Sequence, residues 1–323
     1  MKRVCIVGCG AIGSLFAAHL ARVAEVYVLV RRPAHAASLN RDGLRVSGHH
    51  EFHVELSAAS DAAELPPCDL GIVATKATQT AAAMETAGRL FDGGAILSAQ
   101  NGICGEEIIA RYTRGFVIRG TTFMSGTRHT ATHVQYELDT PTWMGPFEPA
   151  GTPYSTVEQA AELIQRSGLK AEPLRDARPA QWTKLIFNSA VNAVSALTEL
   201  PHSPHFGEVS EFTDAGHLVH ALIEEGKAVA AALGIPLDKD PWEMNKLGAM
   251  TNHPPSMLSD IRNRVPTEVD FLSGAIAREA ARLGIHAPLQ TAVYRLIKAK
   301  EAGWSWTQEN IPQVAAGRTA TER

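Results

Sequence analysis

Lys184, Asn188 and Asn192 recur at four-residue intervals near the middle of the chain. At about 100° per helical residue, three such positions spread over only about 80°, so the amine and the two amides share one helix face. A cation flanked by two amides suits a carbonyl group that is being polarised, because it stabilises negative charge developing on oxygen. The spacing therefore favours a site for carbonyl chemistry.

The neighbours of Lys184 make a purely structural role a genuine alternative. The apolar residues of this segment are Trp182, Leu185, Ile186, Phe187, Val191, Val194 and Leu197. A helix that is apolar on nearly all sides is buried, and burying an ammonium group without an anionic partner is costly or neutralises it. Lys184 therefore has three possible roles: its amine extends to solvent, it forms a structural ion pair, or it takes part in the carbonyl chemistry. A second motif upstream favours the chemical role.

That second motif is a glycine-rich turn close to the first residue. It reads Gly8-Cys9-Gly10-Ala11-Ile12-Gly13. A β-branched run at 2–7 precedes it and a helical apolar pattern at 14–23 follows, which is the context that a dinucleotide-binding turn requires. Gly8 permits the tight turn, Gly10 lets a pyrophosphate approach the backbone, and Gly13 lets helix and strand pack closely. We predict that all six residues bind a dinucleotide.

The residues after the second predicted strand, at 25–30, indicate which dinucleotide binds. An NAD-binding protein normally has an acid there for the ribose 2′-hydroxyl, but this chain has Arg31 and Arg32. Guanidinium groups match a 2′-phosphate, so the sequence predicts NADP(H). The alternative is that both arginines are merely solvated in a loop.

Two further predicted strands end in polar residues. The strand at 69–75 is followed by Lys76, and the strand at 95–99 is followed by Gln100-Asn101-Gly102. Open α/β sheets bind ligands at the carboxyl ends of their strands, so Lys76 and Asn101 should face the cofactor crevice.

The rest of the first half should complete an α/β sheet, whereas the second half should be helical. Strand signals vanish after Asp176. The predicted helices of the second half cover 179–198, 206–233, 241–251, 256–263, 267–283 and 288–302. We therefore expect an α/β Rossmann-type dinucleotide-binding domain at 1–175 and an all-α substrate and catalytic domain at 176–323, with a cleft between them.

Ser256 and Glu268 are polar residues near predicted helix starts in the second half. Ser256 follows two prolines, where its hydroxyl and amide could cap the helix or bind a carboxylate. Glu268 lies within a capping-box-like spacing. Helix capping is therefore the structural alternative for both residues.

Composition excludes several other classes of protein. The chain has 323 residues, 45% hydrophobic and 20% charged, as in ordinary soluble enzymes. A net charge of -4 provides no basic surface for nucleic acid, and no apolar stretch approaches the ~20 residues that span a bilayer. The amino-terminal run is better explained as a strand than as a signal peptide. Four cysteines without CxxC spacing indicate a reduced, cytoplasmic protein.

The 13 histidines raise the question of a metal site. They form two sequence groups, His49, His50, His53 and His129, His133. Both groups lie in turn-rich or alternating segments, without cysteine or paired carboxylates at ligand spacing. Surface or hairpin positions explain them better, and we predict no metal.

Taken together, these motifs resemble the ketopantoate reductases, or 2-dehydropantoate 2-reductases, over nearly the whole chain. The matching residues are the glycine turn, Arg31, Lys76, Gln100-Asn101-Gly102, Trp182-Thr183-Lys184-Leu185, Asn188, Asn192, Ser256-Met257-Leu258, Asp260, Arg262, Thr267 and Glu268. The resemblance implies NADPH-dependent reduction of a 2-keto acid to its 2-hydroxy acid between the two domains.

The resemblance also implies roles for single residues. Lys184 would be the general acid that protonates the carbonyl oxygen, and Glu268 would orient the amine or the new hydroxyl. Asn188 and Asn192 would hold polar groups of the substrate, and Ser256 would bind its carboxylate. A buried acid beside Lys184 would also supply the anionic partner that the amine needs.

The same resemblance places Lys76, Asn101 and Glu268 against the nicotinamide end of the cofactor, with Asn101 also close to the substrate. It further implies a homodimer through the helical domain.

Two histidines depart from the family pattern. His202 and His253 stand where relatives have asparagines. They leave open another branched or aromatic 2-keto acid as the substrate of the same scaffold. A third alternative is a sensor that binds NADPH without turnover.

Overall fold

The computed structural model describes residues 1–207, 213–249 and 254–305. The strands are β1 (Arg3–Val7), β2 (Glu25–Leu29), β3 (Leu44–Gly48), β4 (Phe52–Val54), β5 (Ser57–Ala59), β6 (Leu70–Val73), β7 (Ala95–Ser98), β8 (Phe116–Thr122), β9 (Ser125–Thr130), β10 (His133–Leu138), β11 (Thr142–Pro146) and β12 (Ala171–Pro173). The helices are α1 (Ala11–Leu20), α2 (Pro33–Asp42), α3 (Thr80–Ala87), α4 (Gly105–Ile109), α5 (Tyr154–Arg166), α6 (Arg178–Thr198), α7 (Asp214–Ala232), α8 (Pro241–Ala249), α9 (Ser256–Arg262), α10 (Ser273–Leu283) and α11 (Pro288–Ala302).

The main sheet has eight strands in the order β12-β11-β8-β7-β6-β1-β2-β5. Every pair is parallel except β8 with β11. Strands β6 and β7 are buried throughout, as expected for apolar strands covered on both faces. Helices α1 and α5 contribute to the core on one face, and α3 and α4 to the core on the other. The predicted Rossmann-type α/β fold is thus confirmed.

A second sheet, in the order β4-β3-β10-β9, packs against α1 and was not foreseen. The histidine groups of the sequence lie on or beside its hairpins. His133 Nε2 bonds with Ser47 Oγ at 2.8 Å, and His53 Nε2 with the Asp42 carbonyl at 2.7 Å. Within the described ranges, no three His, Cys, Asp or Glu side chains cluster closely enough to hold a metal ion.

Helix α6 is the centre of the second half. It contacts α7, α8, α9, α10 and α11, and it also contacts β8 of the main sheet. The predicted all-α character of this half is confirmed. One predicted helix, at 267–283, is interrupted: a 3₁₀ turn covers Val269–Phe271, and Leu272 leaves helical geometry with φ −110° and ψ −105° before α10 begins.

Of the helices in the described ranges, none combines the length and the apolar character needed to cross a bilayer. All four cysteines are free thiols.

Candidate active site

The glycine turn connects β1 to α1 in a conformation that other residues would not adopt easily. Gly8 has φ +94°, and its N–H donates to the Leu29 carbonyl at 2.9 Å. A Cβ on Gly13 would lie 2.0 Å from the Gly8 carbonyl oxygen, so only glycine lets α1 pack this closely. The close packing of α1 on β1 therefore depends on glycine at both position 8 and position 13.

The same turn fits a dinucleotide pyrophosphate. Gly10 is the N-cap of α1, has no side-chain capping bond, and has no atom within 4 Å of where a Cβ would be. The space beside Gly10 is thus open at the start of α1, where the positive end of the helix dipole favours an anion. Arg31 is exposed just beyond β2, the strand beside β1, on the same edge of the sheet.

Lys76 and Asn101 follow adjacent strands at that edge, because Val73 of β6 pairs with Ser98 of β7. The Lys76 ammonium forms an ion pair with Asp260 of α9. Burial raises the pKa of Asp260, while the charge of Lys76 acts to lower it. This pair links the sheet edge to the helical half of the chain.

Glu268 does not cap the turn that follows it in the chain, as the capping-box spacing had suggested, but binds groups of the α/β half. Its Oε1 accepts the Ala77 N–H at 2.8 Å, its Oε2 accepts the Asn101 amide at 3.2 Å, and the residue is only 8% exposed. Its side chain makes no capping bond to the 3₁₀ turn that follows it. The carboxylate instead faces the strand ends where the cofactor crevice is predicted.

Lys184 reaches the same place from α6. Its Nζ donates to Asn101 Oδ1 at 2.8 Å and to the Thr122 carbonyl at the end of β8. Burial lowers the pKa of Lys184 to about 8, and the negative charge of Glu268 partly opposes that shift. The amine therefore lies buried but anchored, close to a carboxylate that it does not touch directly.

Asn188 and Asn192 are 8% and 6% exposed on α6. Neither carboxamide makes a hydrogen bond to any residue that the structure describes. Ser256 is exposed at the first turn of α9, where Pro255 is the N-cap and no side chain caps the helix. The hydroxyl of Ser256 is thus not used for capping.

His202 does not line open space: it is 5% exposed, and its Nε2 bonds with Asn245 Oδ1 at 2.9 Å. Its ring packs edge-on against Phe187 and Phe206. The second departure from the family pattern, His253, lies outside the described residues.

Sequence reasoning missed three features of this region. The first is the Thr122 carbonyl that accepts from Lys184. The sequence cannot indicate it, because every residue has a backbone carbonyl whatever its side chain. Asp260 was part of the matched motif, but its partner Lys76 is 184 positions away. The third feature is a buried network in which Gln181 of α6 donates to Glu106 at 2.9 Å and accepts from Arg119 at 2.9 Å.

A dinucleotide-binding turn, with a buried amine and a carboxylate held by the adjoining strand ends, defines a two-domain nicotinamide-dependent oxidoreductase. The family described as Ketopantoate reductase PanE/ApbA matches residues 4–149, and its C-terminal family matches residues 176–301. The chain therefore belongs to the ketopantoate reductase family, and its cofactor is NADP(H).

Relatives match along nearly the entire chain. A 2-dehydropantoate 2-reductase of Archaeoglobus fulgidus is 29% identical over 309 residues, which cover 94% of this chain and 99% of the relative. That of Pyrococcus horikoshii is 30% identical over 302 residues, covering 93% and 98%. The crystal structure of a PanE/ApbA family ketopantoate reductase from Ralstonia eutropha JMP134 has a TM-score of 0.82 at 26% identity and covers 93% of this chain and 99% of its own.

Proposed function

We propose that the protein catalyses NADPH-dependent reduction of 2-dehydropantoate to pantoate, with Lys184 as the general acid. The observation that carries this proposal is the position of the Lys184 amine. It is fixed by Asn101 and the Thr122 carbonyl at the strand ends, on the sheet edge that also bears the glycine turn. The names of the relatives supply the substrate.

When bound, NADPH would supply the hydride for the keto carbon and be left as NADP⁺, while the keto oxygen would take a proton and the acid would become a 2-hydroxy acid. The glycine turn would hold the pyrophosphate. Arg31, with Arg32 beside it, would bind the 2′-phosphate, because a guanidinium presents paired donors to phosphate oxygens. Lys76, Asn101 and Glu268 would contact the nicotinamide end.

In the proposed mechanism Lys184 donates its proton to the keto oxygen as negative charge develops there. A pKa of about 8 suits this task, since the amine is mostly protonated at neutral pH yet transfers its proton readily. Glu268 favours the charged form of the amine through its own negative charge. Asn101, bonded to both, would hold the amine at the strand ends, where it can meet the keto oxygen.

The remaining polar groups would orient the acid. Asn188 and Asn192 are nearly enclosed carboxamides on the Lys184 face of α6, so each can donate to an oxygen of the substrate. Ser256 would bind the substrate carboxylate through its hydroxyl. Holding the carboxylate and the keto oxygen at separate points fixes which face of the keto carbon is presented.

The proposal also includes the organisation of the protein. The domain boundary lies near residue 175, the four free thiols fit a cytoplasmic location, and the helical domain is the surface for a homodimer.

The test follows the absorbance of NADPH with the purified full-length protein and 2-dehydropantoate, and it identifies the product by chromatography. Oxidation of NADPH matched by formation of pantoate is the expected result. NADPH binding without turnover of any 2-keto acid would overturn the proposal in favour of a cofactor sensor.

A further inference from the structure

Helix α6 is open to solvent at two adjoining positions beside the proposed reaction centre. From Ala180 to Ala196, a stretch described in full, every residue is buried except Lys184 and Phe187. Lys184 and Phe187 are one helical turn apart and therefore neighbours on the helix surface. The Lys184 side chain and the Phe187 ring therefore share the partly exposed part of this stretch, while the ammonium at the end of the lysine side chain is itself buried.

A second ring borders the same partly exposed part from the main sheet. Phe123 directly follows Thr122, whose carbonyl accepts a hydrogen bond from Lys184. Its ring centroid lies 5.5 Å from the Lys184 Nζ, 6.0 Å from the Phe187 ring and 6.2 Å from the Trp143 ring. Phe123, Phe187 and Trp143 all keep intermediate exposure. We call Phe123 and Phe187 the aromatic wall.

The aromatic wall is held in place from behind. The His202 ring lies 5.7 Å from the Phe187 ring and is fixed by its bond to Asn245. A Cβ on Gly248 would approach His202 Cε1 to 2.7 Å, so the absence of a side chain at this position lets the imidazole pack here. Trp143 donates to Glu172 at 2.9 Å, which sets the ring that borders Phe123. Each wall ring therefore packs against a ring that is itself held by a hydrogen bond.

We propose that the aromatic wall binds the substituent on the keto carbon, and that the enzyme also reduces aromatic 2-keto acids such as benzoylformate. This inference rests on the proposed function. With the keto oxygen at Lys184 and the carboxylate at the polar groups, the third substituent is left to face Phe123 and Phe187. A phenyl group can pack edge-to-face on these rings.

The reaction is unchanged: the keto carbon gains a hydride, the oxygen gains a proton, and NADPH is oxidised to NADP⁺. Only the group beside the keto carbon differs.

The experiment compares kcat and KM of the full-length enzyme with NADPH for benzoylformate, 2-dehydropantoate and pyruvate. Pyruvate is the reference, because its methyl group is too small to cover the wall. We expect kcat/KM for benzoylformate to exceed that for pyruvate by at least tenfold, the lower end of the roughly 10- to 200-fold range available to apolar pockets.

The variants locate the effect. Phe187→Ala and Phe123→Ala should each reduce the benzoylformate-to-pyruvate ratio of kcat/KM by roughly tenfold, mainly by raising KM for benzoylformate. Phe187→Leu retains apolar bulk and should give a smaller loss if the alanine variant folds poorly. Phe116→Ala is the matched control, since Phe116 is 40% exposed at the opposite end of β8 and should leave the ratio unchanged.

The outcomes separate the two proposals. Failure of every 2-keto acid would reject the proposed function itself. Turnover of pyruvate or 2-dehydropantoate without benzoylformate, or an equal loss for all substrates in the wall variants, would reject the aromatic wall while leaving the reductase assignment intact.

Discussion

Lys184 and Glu268 are joined through a single carboxamide. Asn101 accepts from the Lys184 amine at 2.8 Å through Oδ1 and donates to Glu268 at 3.2 Å through Nδ2. The amine and the acid thus influence one another by charge while a neutral group keeps them apart. An ion pair in direct contact would tie the proton to the carboxylate, whereas this arrangement leaves it available for a substrate.

Replacing Lys184 by alanine should lower kcat by roughly 100- to 10,000-fold, the usual contribution of general acid catalysis. The affinity for NADPH should change little, because the amine acts on charge that develops on the keto oxygen. Stopped-flow or steady-state kinetics give kcat, and NADPH fluorescence gives Kd. Lys170→Ala is the control, since that lysine is 58% exposed and pairs with Asp139. Full activity of the Lys184 variant would refute the acid assignment.

The pH dependence should report the depressed pKa of Lys184. Reduction needs the protonated amine, so kcat/KM should fall as pH rises through about 8 rather than near the usual lysine value. Oxidation of the 2-hydroxy acid needs the neutral amine and should rise over the same interval. Profiles in both directions test this, and a reduction rate that stays flat up to pH ~10 would contradict it.

Glu268→Gln should move that pH profile. Removing the negative charge removes the influence that raises the Lys184 pKa, so the alkaline limb should shift below about 8. The amide retains an oxygen for the Ala77 N–H. Glu279→Gln serves as the control, since Glu279 pairs with Arg282 on the surface of α10. A lower rate of reduction with no shift in the alkaline limb of the pH profile would mean that Glu268 only positions other groups.

Arg31 should determine the choice between cofactors. Charge-assisted hydrogen bonds contribute about 1.5–3 kcal/mol, so Arg31→Ala should reduce the NADPH-to-NADH ratio of kcat/KM by roughly ten- to a hundredfold. Combining it with Arg32→Ala should reduce the ratio further. Arg41→Ala is the matched control, because Arg41 pairs with the neighbouring Asp42 on α2. An unchanged ratio in the double variant would show that another group reads the 2′-phosphate.

Local patterns in the sequence predicted the main elements because those elements depend on neighbours in the chain. The glycine spacing specified the turn between β1 and α1, and the i, i+4, i+8 spacing placed Lys184, Asn188 and Asn192 on one helix. The strand-end rule also placed Lys76 and Asn101 at one sheet edge.

The unpredicted features depend on tertiary contacts. The contacts of Glu268 with Ala77 and Asn101 join residues 191 and 167 positions apart, which no local spacing encodes. The second sheet pairs β3 with β10, for example Arg45 with His133, and these strands are also far apart in the chain. His202 was expected to alter a substrate pocket, but it is buried and packs against Phe187 instead of lining open space.

Glu106 provides a stability test of the contact between α6 and the main sheet. It is 1% exposed, accepts from Gln181 at 2.9 Å, and burial raises its pKa. Glu106→Ala removes the acceptor from a buried amide and should lower the free energy of unfolding by about 1–3 kcal/mol. Glu106→Gln retains the shape of the protonated acid and should cost less.

The pH dependence of this effect has a definite sign. Because the folded-state pKa of Glu106 is raised, its contribution to stability is fully present below the pKa of the unfolded carboxyl, about 4.3, and is lost as pH rises towards the folded value. The free energy of unfolding of wild type minus that of Glu106→Gln should therefore decrease from acidic to neutral pH. Urea unfolding at several pH values measures the difference. A difference that is constant or increases with pH would mean that the buried carboxyl is ionised against Arg119, 8% exposed beside it, rather than neutral.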